Sequence, residues 1–480
     1  MIWGTQATWI FLVAYALVAA GFCLRFRSGK PVLTLDGLLC LLVFSSFVAP
    51  RIILPEGLPS VRPEEVLILG LLPGLLVLRP SRIHGYARLI VFLLLCLAVS
   101  IALSMARSVF VGVPFAYTNL WEFVKIGKLV LIVLFVFLMK NSIVARLSKL
   151  ASVYYIAAFA VIAVTVLQYV TWPGGIGAWL AQVYAVPRQF TGSYLGSRRA
   201  VATGVDPNMG AQVAFLLLSL MVAFMVNKVR RTISVVAVLG LLAVVALTAS
   251  RTGIVMVCVF AFVVALDSLR MRKGHILVRP AYFVLALLVI SAGGAVVLSR
   301  FSPYLGSLVR VVQEGSLTVD PSLKLRATYY WPTVIKAWLQ APILGWGPAK
   351  GTEWKLLADN EYLFNLLHYG IFGSITLLSL YFAMFYAAKR MTENVNHSLP
   401  RSFAQAVKWA IPCILVGNLT HTLFWDIQSV QAFFLGFSIV LALEAGSCYF
   451  FAGERCPSGA RDIPRTSRNV TLQAEGGPEA

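Results

Sequence analysis

The chain is dominated by runs of about twenty apolar residues, the length at which a helix rising about 1.5 Å per residue crosses the hydrocarbon core of a bilayer. One run extends from Ile2 to Leu24, and others recur near 33–50, 64–78, 88–106, 120–139, 151–170, 208–226, 233–249, 252–268, 281–299, 361–387, 405–423 and 428–448. Inside a bilayer each backbone amide must be satisfied within its own segment, so such runs fold as helices. With 59% of the 480 residues apolar and 12% charged, an ordinary water-soluble fold is excluded. The expected fold class is all-α: a polytopic membrane protein of about 12–13 transmembrane helices. The first run lacks the basic start of a secretory signal and is read as a retained span.

Lys and Arg outnumber Asp and Glu by 40 to 19, an excess that in a soluble protein would suggest nucleic acid. No zinc finger, basic coiled coil or other nucleic-acid motif accompanies it, and no nucleic-acid partner is expected. The excess follows the spans instead. Arg25, Arg27 and Lys30, then Arg79, Arg82 and Arg88, then Lys140, Arg146 and Lys149, then Lys228, Arg230 and Arg231 fall on one side of the alternating runs, as do Arg270, Arg272, Lys273, Arg279, Lys389, Arg390, Arg401 and Lys408. Cytoplasmic loops collect positive charge, so the N-terminus is predicted outside and the C-terminal tail in the cytoplasm. None of the seven cysteines has ligand spacing, which leaves neither a disulfide framework nor a zinc site. No metal and no cofactor is expected.

Three regions follow. Residues 1–170 hold N-terminal transmembrane helices, 171–451 form a membrane domain with two long outer segments, and 452–480, made of Gly, Pro, Arg and Glu with few large apolar side chains, form a tail predicted to stay unfolded. The outer segments are 171–207, rich in Gly, Pro and aromatics, and 300–360, which carries Arg300, Arg310, Lys324, Arg326, Lys336, Lys350 and Lys355 against the charge rule. Loops of this length are usually functional or disordered, and Trp331, Trp338, Trp346 and Trp354 argue for order. Residues 321–340 read as an amphipathic helix on or near the membrane surface, and Lys336, Lys350 and Lys355 suit lipid headgroups.

Four features could carry chemistry. Thr248-Ala249-Ser250-Arg251-Thr252-Gly253 splits an apolar stretch from Ile233 to Leu266 into two short crossings and sets Arg251 at the tip of a helical hairpin. An arginine there is costly unless it faces protein, water or an anion. It is read either as a snorkelling loop residue or as a ligand for phosphate or carboxylate. Lys324 and Arg326 open the amphipathic stretch that contains Trp331, and a guanidinium offers a planar fork matched to two phosphate oxygens. Asp359-Asn360-Glu361-Tyr362 stands where the outer loop turns into a helix, where Asp and Asn serve as caps and where a carboxylate could also act as a general base. Arg198-Arg199 precedes Gly204-Val205-Asp206-Pro207-Asn208 at another helix start, with Pro fixing the turn and Asn208 as the expected cap.

Other signals are weaker. Gly345-Trp346-Gly347 with Lys350-Gly351-Thr352 fits no phosphate-loop spacing. His368 and His421, both placed within spans, suit packing better than metal ligation. Glu122, Lys125 and Lys128 stand at helical spacing, which predicts a local ion pair. Trp172, Trp179, Tyr184, Trp331 and Trp346 are available to stack on sugar faces, although the membrane-interface belt explains most such residues.

Taken in order, the Asp206-Pro207-Asn208 helix start, Ser250-Arg251-Thr252-Gly253, Pro342-Ile343-Leu344-Gly345-Trp346-Gly347, Asp359-Asn360-Glu361-Tyr362-Leu363 and Gly370-Ile371-Phe372-Gly373 resemble the O-antigen ligase and polymerase superfamily over roughly residues 190–375. The resemblance implies a bacterial inner-membrane glycosyltransferase of GT-C-like helical architecture, with its active face periplasmic, that takes glycans linked to undecaprenyl diphosphate. It implies that Arg251 and Arg326 hold the diphosphate. Ligases of the family carry a histidine near the position of Asp359, so the aspartate suits a polymerase of O-antigen, capsule or exopolysaccharide better.

The expected reaction is metal-independent and inverting. Arg251 and Arg326 stabilise the leaving diphosphate, and Asp359 or Glu361 takes the proton from the acceptor hydroxyl. Arg198, Arg199, Asn208, Lys324, Asn360 and Trp331 contact substrate. The expected partners are the lipid-linked donor, a glycan acceptor, the bilayer and a chain-length regulator. The alternatives are a ligase that moves glycan to lipid A-core or another acceptor, and a glycolipid flippase or transporter. A transporter would bury its ionisable residues at mid-membrane, whereas these cluster toward one face.

Overall fold

Pro207 and Pro321 each follow an aspartate, a pairing that starts a helix because proline needs no N–H partner in the first turn and the aspartate accepts the amides behind it. Both helices form as that rule requires. The computed structural model describes residues 24–27, 30–33, 35–50, 62–68, 85–185, 190–270, 314, 320–348, 359–422 and 424–450. A two-stranded antiparallel ribbon, β1 (Leu24–Arg27) and β2 (Lys30–Leu33), is the one sheet among them. The helices are α1 (Leu35–Val48), α2 (Gly85–Phe110), α3 (Trp121–Leu138), α4 (Lys140–Ala145), α5 (Leu147–Val170), α6 (Gly175–Tyr184), α7 (Pro207–Val226), α8 (Arg231–Thr248) and α9 (Arg251–Arg270). There follow α10 (Pro321–Leu325), a π-helical turn (Arg326–Tyr330), α11 (Trp331–Leu339), α12 (Glu361–Asn394), α13 (Ser398–Gly417) and α14 (Ile427–Phe450).

Seven helices among the described residues are long and apolar enough to cross a membrane: α2, α5, α7, α8, α9 over Arg251–Ser268, α12, and α14 over Gln428–Gly446. The chain is a polytopic helical membrane protein. Not every expected span reaches that standard. The run at 120–139 forms α3 but carries Glu122, Lys125 and Lys128. The run at 405–423 forms α13, shifted toward Ser398 and bearing Arg401, Gln405 and Lys408. The expected span at 33–50 forms the shorter α1. The run at 2–24 apart from Leu24, the run at 281–299, most of 64–78, the tail, Arg300, Arg310, Lys350, Lys355 and Trp354 lie outside the described residues.

Helix α7 is central, packing against α8, α9, α13 and α14, while α12 packs against α2 and α13. Aromatic edges fill the interior, with Tyr154 and Phe224 both set against Phe403. Polar ties join neighbouring helices at both ends of the bundle. At one end Ser250 Oγ donates to Asn208 Oδ1 (2.9 Å) and Thr252 meets Thr420 through their hydroxyls (2.9 Å). At the other, Asn227 Nδ2 donates to Gln405 Oε1 (2.6 Å) and Lys408 pairs with Asp267 (2.7 Å).

Helix α12 is broken at Gly370, whose φ of 62° and ψ of −164° lie outside the helical region. The break frees backbone groups, and the Pro342–Gly347 loop satisfies them. Trp346 N donates to Leu367 O (2.8 Å), Gly347 N to His368 O (2.8 Å), and Ile371 N to Pro342 O (2.9 Å). A Cβ on Gly370 would stand 2.2 Å from Ile343 O, and one on Gly345 would stand 2.5 Å from the His368 carbonyl carbon. The two glycine motifs therefore form one joint, which fixes the loop leading from α11 against the start of α12. Gly370→Ala places a side chain in a conformation that only glycine adopts readily and adds the contact with Ile343. A loss of about 1–3 kcal/mol from the backbone term alone is expected. A lowered thermal unfolding midpoint of the detergent-solubilised protein would register it, and an unchanged midpoint would remove the joint from the account.

Candidate functional site

The site is built from four helix termini brought to one end of the bundle. Asp320 caps α10, its Oδ1 accepting from Ser322 N and Leu323 N (both 2.9 Å), while its Oδ2 pairs with Arg251 at the start of α9. One carboxylate thus orients Arg251 and starts the helix that leads into Arg326. Arg326 opens the π-helical turn, and its Nη2 donates to Asp359 Oδ2 at 2.7 Å. Next to Asp359, Asn360 caps α12, its Oδ1 accepting from Tyr362 N (2.9 Å) and Leu363 N (3.2 Å). Asn360 Nδ2 donates to Leu419 O (3.1 Å). Thr420, the next residue, meets Thr252, which follows Arg251. The contacts close a ring from Arg251 through Asp320, Arg326, Asp359, Asn360 and Thr420 back to the hairpin tip.

Exposure separates the two guanidinium–carboxylate pairs. In the Arg326–Asp359 pair the side chains are 20% and 45% exposed, and in the Arg251–Asp320 pair 13% and 3%. The first is the more open to solvent, whereas the second is held by packing. Among the sequence-derived candidates, Arg251, Arg326, Asp359 and Asn360 are therefore brought together. Asp359 is left out of capping because Asn360 does that work.

The other candidates are placed differently. Glu361 is fully buried, its carboxylate accepting from Asn365 Nδ2 (2.9 Å) and Phe424 N (3.0 Å), so it ties α12 to the segment before α14. Arg199 is buried and its Nε donates to Thr248 O (3.0 Å), bracing the end of α8. Arg198 lies over the Tyr169 ring at 4.4 Å. Asn208 is not the cap of α7: Asp206 is, accepting from Asn208 N (2.7 Å) and Met209 N (3.1 Å), because a residue before proline can stay extended as a cap does. Asn208 instead receives Ser250, joining α7 to the hairpin. Lys324 is exposed one turn from Asp320, and Trp331 is partly buried at the start of α11.

Several aromatics named for stacking serve packing instead. Tyr184 is buried and donates to Val48 O (2.8 Å), and burial pushes its hydroxyl pKa up. Trp346 Nε1 donates to Ala337 O (2.8 Å) beneath Arg107, whose guanidinium stands 4.7 Å from its ring centre. His421 lies in the turn after α13 rather than within a span. His368, inside α12, contacts Gly347 O through Nδ1 (2.6 Å). Near that turn Asp426 is buried before α14, and burial raises its pKa, opposed by the hydrogen bond from Ser429 and by nearby His421. The expected ion pair in α3 forms between Glu122 and Lys125 (3.1 Å), but Lys128 reaches Glu65 instead. No group of three or more His, Cys, Asp or Glu residues suited to a metal ion occurs among the described residues.

Sequence reasoning missed Asp320, the partner of Arg251, and Thr252 with Thr420, which close the ring. Asp320-Pro321 carried a helix-start signal of its own. Nothing in the sequence linked Thr420 to Thr252.

Fold and site together define a polytopic helical membrane protein with two guanidinium–carboxylate pairs, one buried and one partly exposed, at one end of its bundle. Residues 235–378 match the family model described as O-antigen ligase. That match supports the O-antigen ligase and polymerase superfamily and, with it, a membrane enzyme that transfers glycan. It runs from the second turn of α8 to the middle of α12 and includes Arg251, Arg326 and Asp359. No curated protein matches the chain.

Proposed function

We propose that the chain is a metal-independent, inverting glycosyltransferase of the bacterial inner membrane that polymerises glycan repeat units carried on undecaprenyl diphosphate, at its periplasmic face. The observation that carries this reading is the ring of contacts that gathers Arg251, Arg326 and Asp359. Each guanidinium holds a carboxylate, and an incoming diphosphate offers the same acceptor geometry with more charge. Arg326, the more exposed of the two, exchanges Asp359 for phosphate oxygen. That exchange leaves the Asp359 carboxylate beside the reaction centre as a base.

In the reaction the acceptor hydroxyl oxygen attacks the anomeric carbon, the bond from that carbon to the diphosphate oxygen breaks, and the hydroxyl proton passes to Asp359. Undecaprenyl diphosphate leaves with the bonding electrons. Charge builds on its bridging oxygen, where Arg251 and Arg326 stabilise it, the largest single contribution such sites make. Guanidinium stays charged at all physiological pH and needs no divalent ion to do this. Attack opposite the leaving group inverts the anomeric centre.

A ligase is the second reading, favoured by the description of the matching family, and it differs in the acceptor rather than in the donor chemistry. The test is reconstituted protein supplied with a polyprenyl-diphosphate-linked oligosaccharide in EDTA. A ladder of inverted linkages on the lipid carrier is expected. Transfer only to an added lipid A-core acceptor would replace polymerase with ligase, and a strict requirement for divalent metal would remove the arginine mechanism.

A further inference from the structure

A cavity of ≈ 530 Å³ lies toward the other end of the bundle, where the last turns of α9 and α12 meet α13 between Arg401 and Pro412. Asp267, which lines it, is sixteen residues beyond Arg251 on α9, or about 24 Å by helix rise. The cavity is therefore separate from the ring at the helix starts. Its walls are of two kinds. Val263, Leu266, Phe385 and Pro412 are apolar, and Lys389, Arg401 and Lys408 are cationic, with Phe385 and Pro412 each one helical turn from Lys389 and Lys408.

The acids in the cavity do not cancel that charge equally. Both oxygens of Asp267 accept from Lys408 Nζ (2.7 Å each), and Oδ2 also accepts from Trp409 Nε1 (2.8 Å), so this carboxylate is fully engaged inside the protein. Glu393 meets Lys389 at 3.9 Å with both side chains about half exposed, a contact worth little in water. Lys389 can turn to a stronger anion, and Arg401 in the first turn of α13 lines the same cavity. A charged head beside an apolar lining matches an amphiphile, and basic pockets between transmembrane helices are where phosphate headgroups dock. Other anions lack a use for the apolar side.

We propose that this cavity binds an anionic phospholipid, with its headgroup phosphate on Lys389 and Arg401 and an acyl chain along Val263, Leu266, Phe385 and Pro412. The lipid comes from the leaflet opposite the glycan site. Helix α13 packs against both α9 and α12, so a lipid seated here steadies the far ends of the two helices whose near ends carry Arg251 and Asn360.

Native mass spectrometry of the detergent-purified full chain tests this, with phosphatidylglycerol, phosphatidylcholine and inorganic phosphate titrated separately. One phosphatidylglycerol is expected to bind at a concentration where the other two do not. The Lys389→Ala/Arg401→Ala double variant is expected to weaken it by tenfold or more, and Leu266→Trp, which fills the acyl side while leaving the cations, is expected to weaken it as well. Arg326→Ala at the glycan site is expected to bind the lipid as wild type does, which keeps this outcome independent of the proposed reaction. Equal binding of phosphatidylcholine, equal binding of free phosphate, or undiminished binding in both cavity variants would overturn the assignment.

Discussion

Arg326→Ala is expected to lower glycan transfer by about 10²–10³-fold, the loss seen when one preorganised donor to a developing negative charge is removed. The amount of protein in the membrane is expected to stay near wild type. Arg326 is only partly buried and its partner Asp359 is 45% exposed, so the truncation leaves the aspartate in contact with water rather than stranded. Arg326→Lys should recover part of the rate, because lysine restores charge without the planar fork. Arg251 is a less clean probe. Its partner Asp320 is almost fully buried and also caps α10, so Arg251→Ala takes the guanidinium away from a carboxylate inside the protein and mixes a stability loss with the catalytic one. The decisive measurement is turnover per folded molecule with a lipid-linked donor. Wild-type turnover in Arg326→Ala would refute the leaving-group role.

Asp359→Asn is expected to reduce transfer by about 10²–10⁴-fold, the usual worth of a positioned general base. The substitution keeps an oxygen that can accept from Arg326 and so preserves the contact that orients the loop, but it cannot take a proton at the acceptor. Donor binding, read by competition with a non-transferable polyprenyl diphosphate, should survive. A loss of binding together with turnover would make Asp359 a positioning residue for Arg326, and an unaltered rate would take the base away from this position. Glu361→Gln separates the two carboxylates. Glu361 has no exposed surface and is held by Asn365 and Phe424, so its expected effect is on unfolding rather than on the transfer step of the folded fraction.

The spans of the second half of the chain were legible because hydropathy acts over twenty residues at once and needs no knowledge of neighbours. Helices α7, α8, α9, α12 and α14 lie where the apolar runs place them. Helix α3 was legible as helix, but the destination of its charges was not. Lys128 reaches Glu65, sixty-three residues away, instead of a neighbour on its own helix. The caps show the same division. The local signature Asp-Pro marks the starts of α7 and α10, yet sequence reading assigned the α7 cap to Asn208 and overlooked Asp320, because local rules rank residue types without showing which side chain a distant helix will claim.

What the sequence determined alone was the membrane environment, the places where helices can cross it, and a set of arginines and carboxylates gathered near the helix starts. Those follow from one-dimensional chemistry: the cost of unsatisfied amides in hydrocarbon and the cost of charge there. Only the tertiary structure decided which carboxylate meets which guanidinium, that Arg199 and Glu361 are spent on holding the bundle together, and that the Pro342–Gly347 loop mends the break in α12 at Gly370. These are contacts between segments far apart in the chain. Each depends on how helices of comparable apolarity settle against one another, which side-chain shape and hydrogen bonding decide and hydropathy does not.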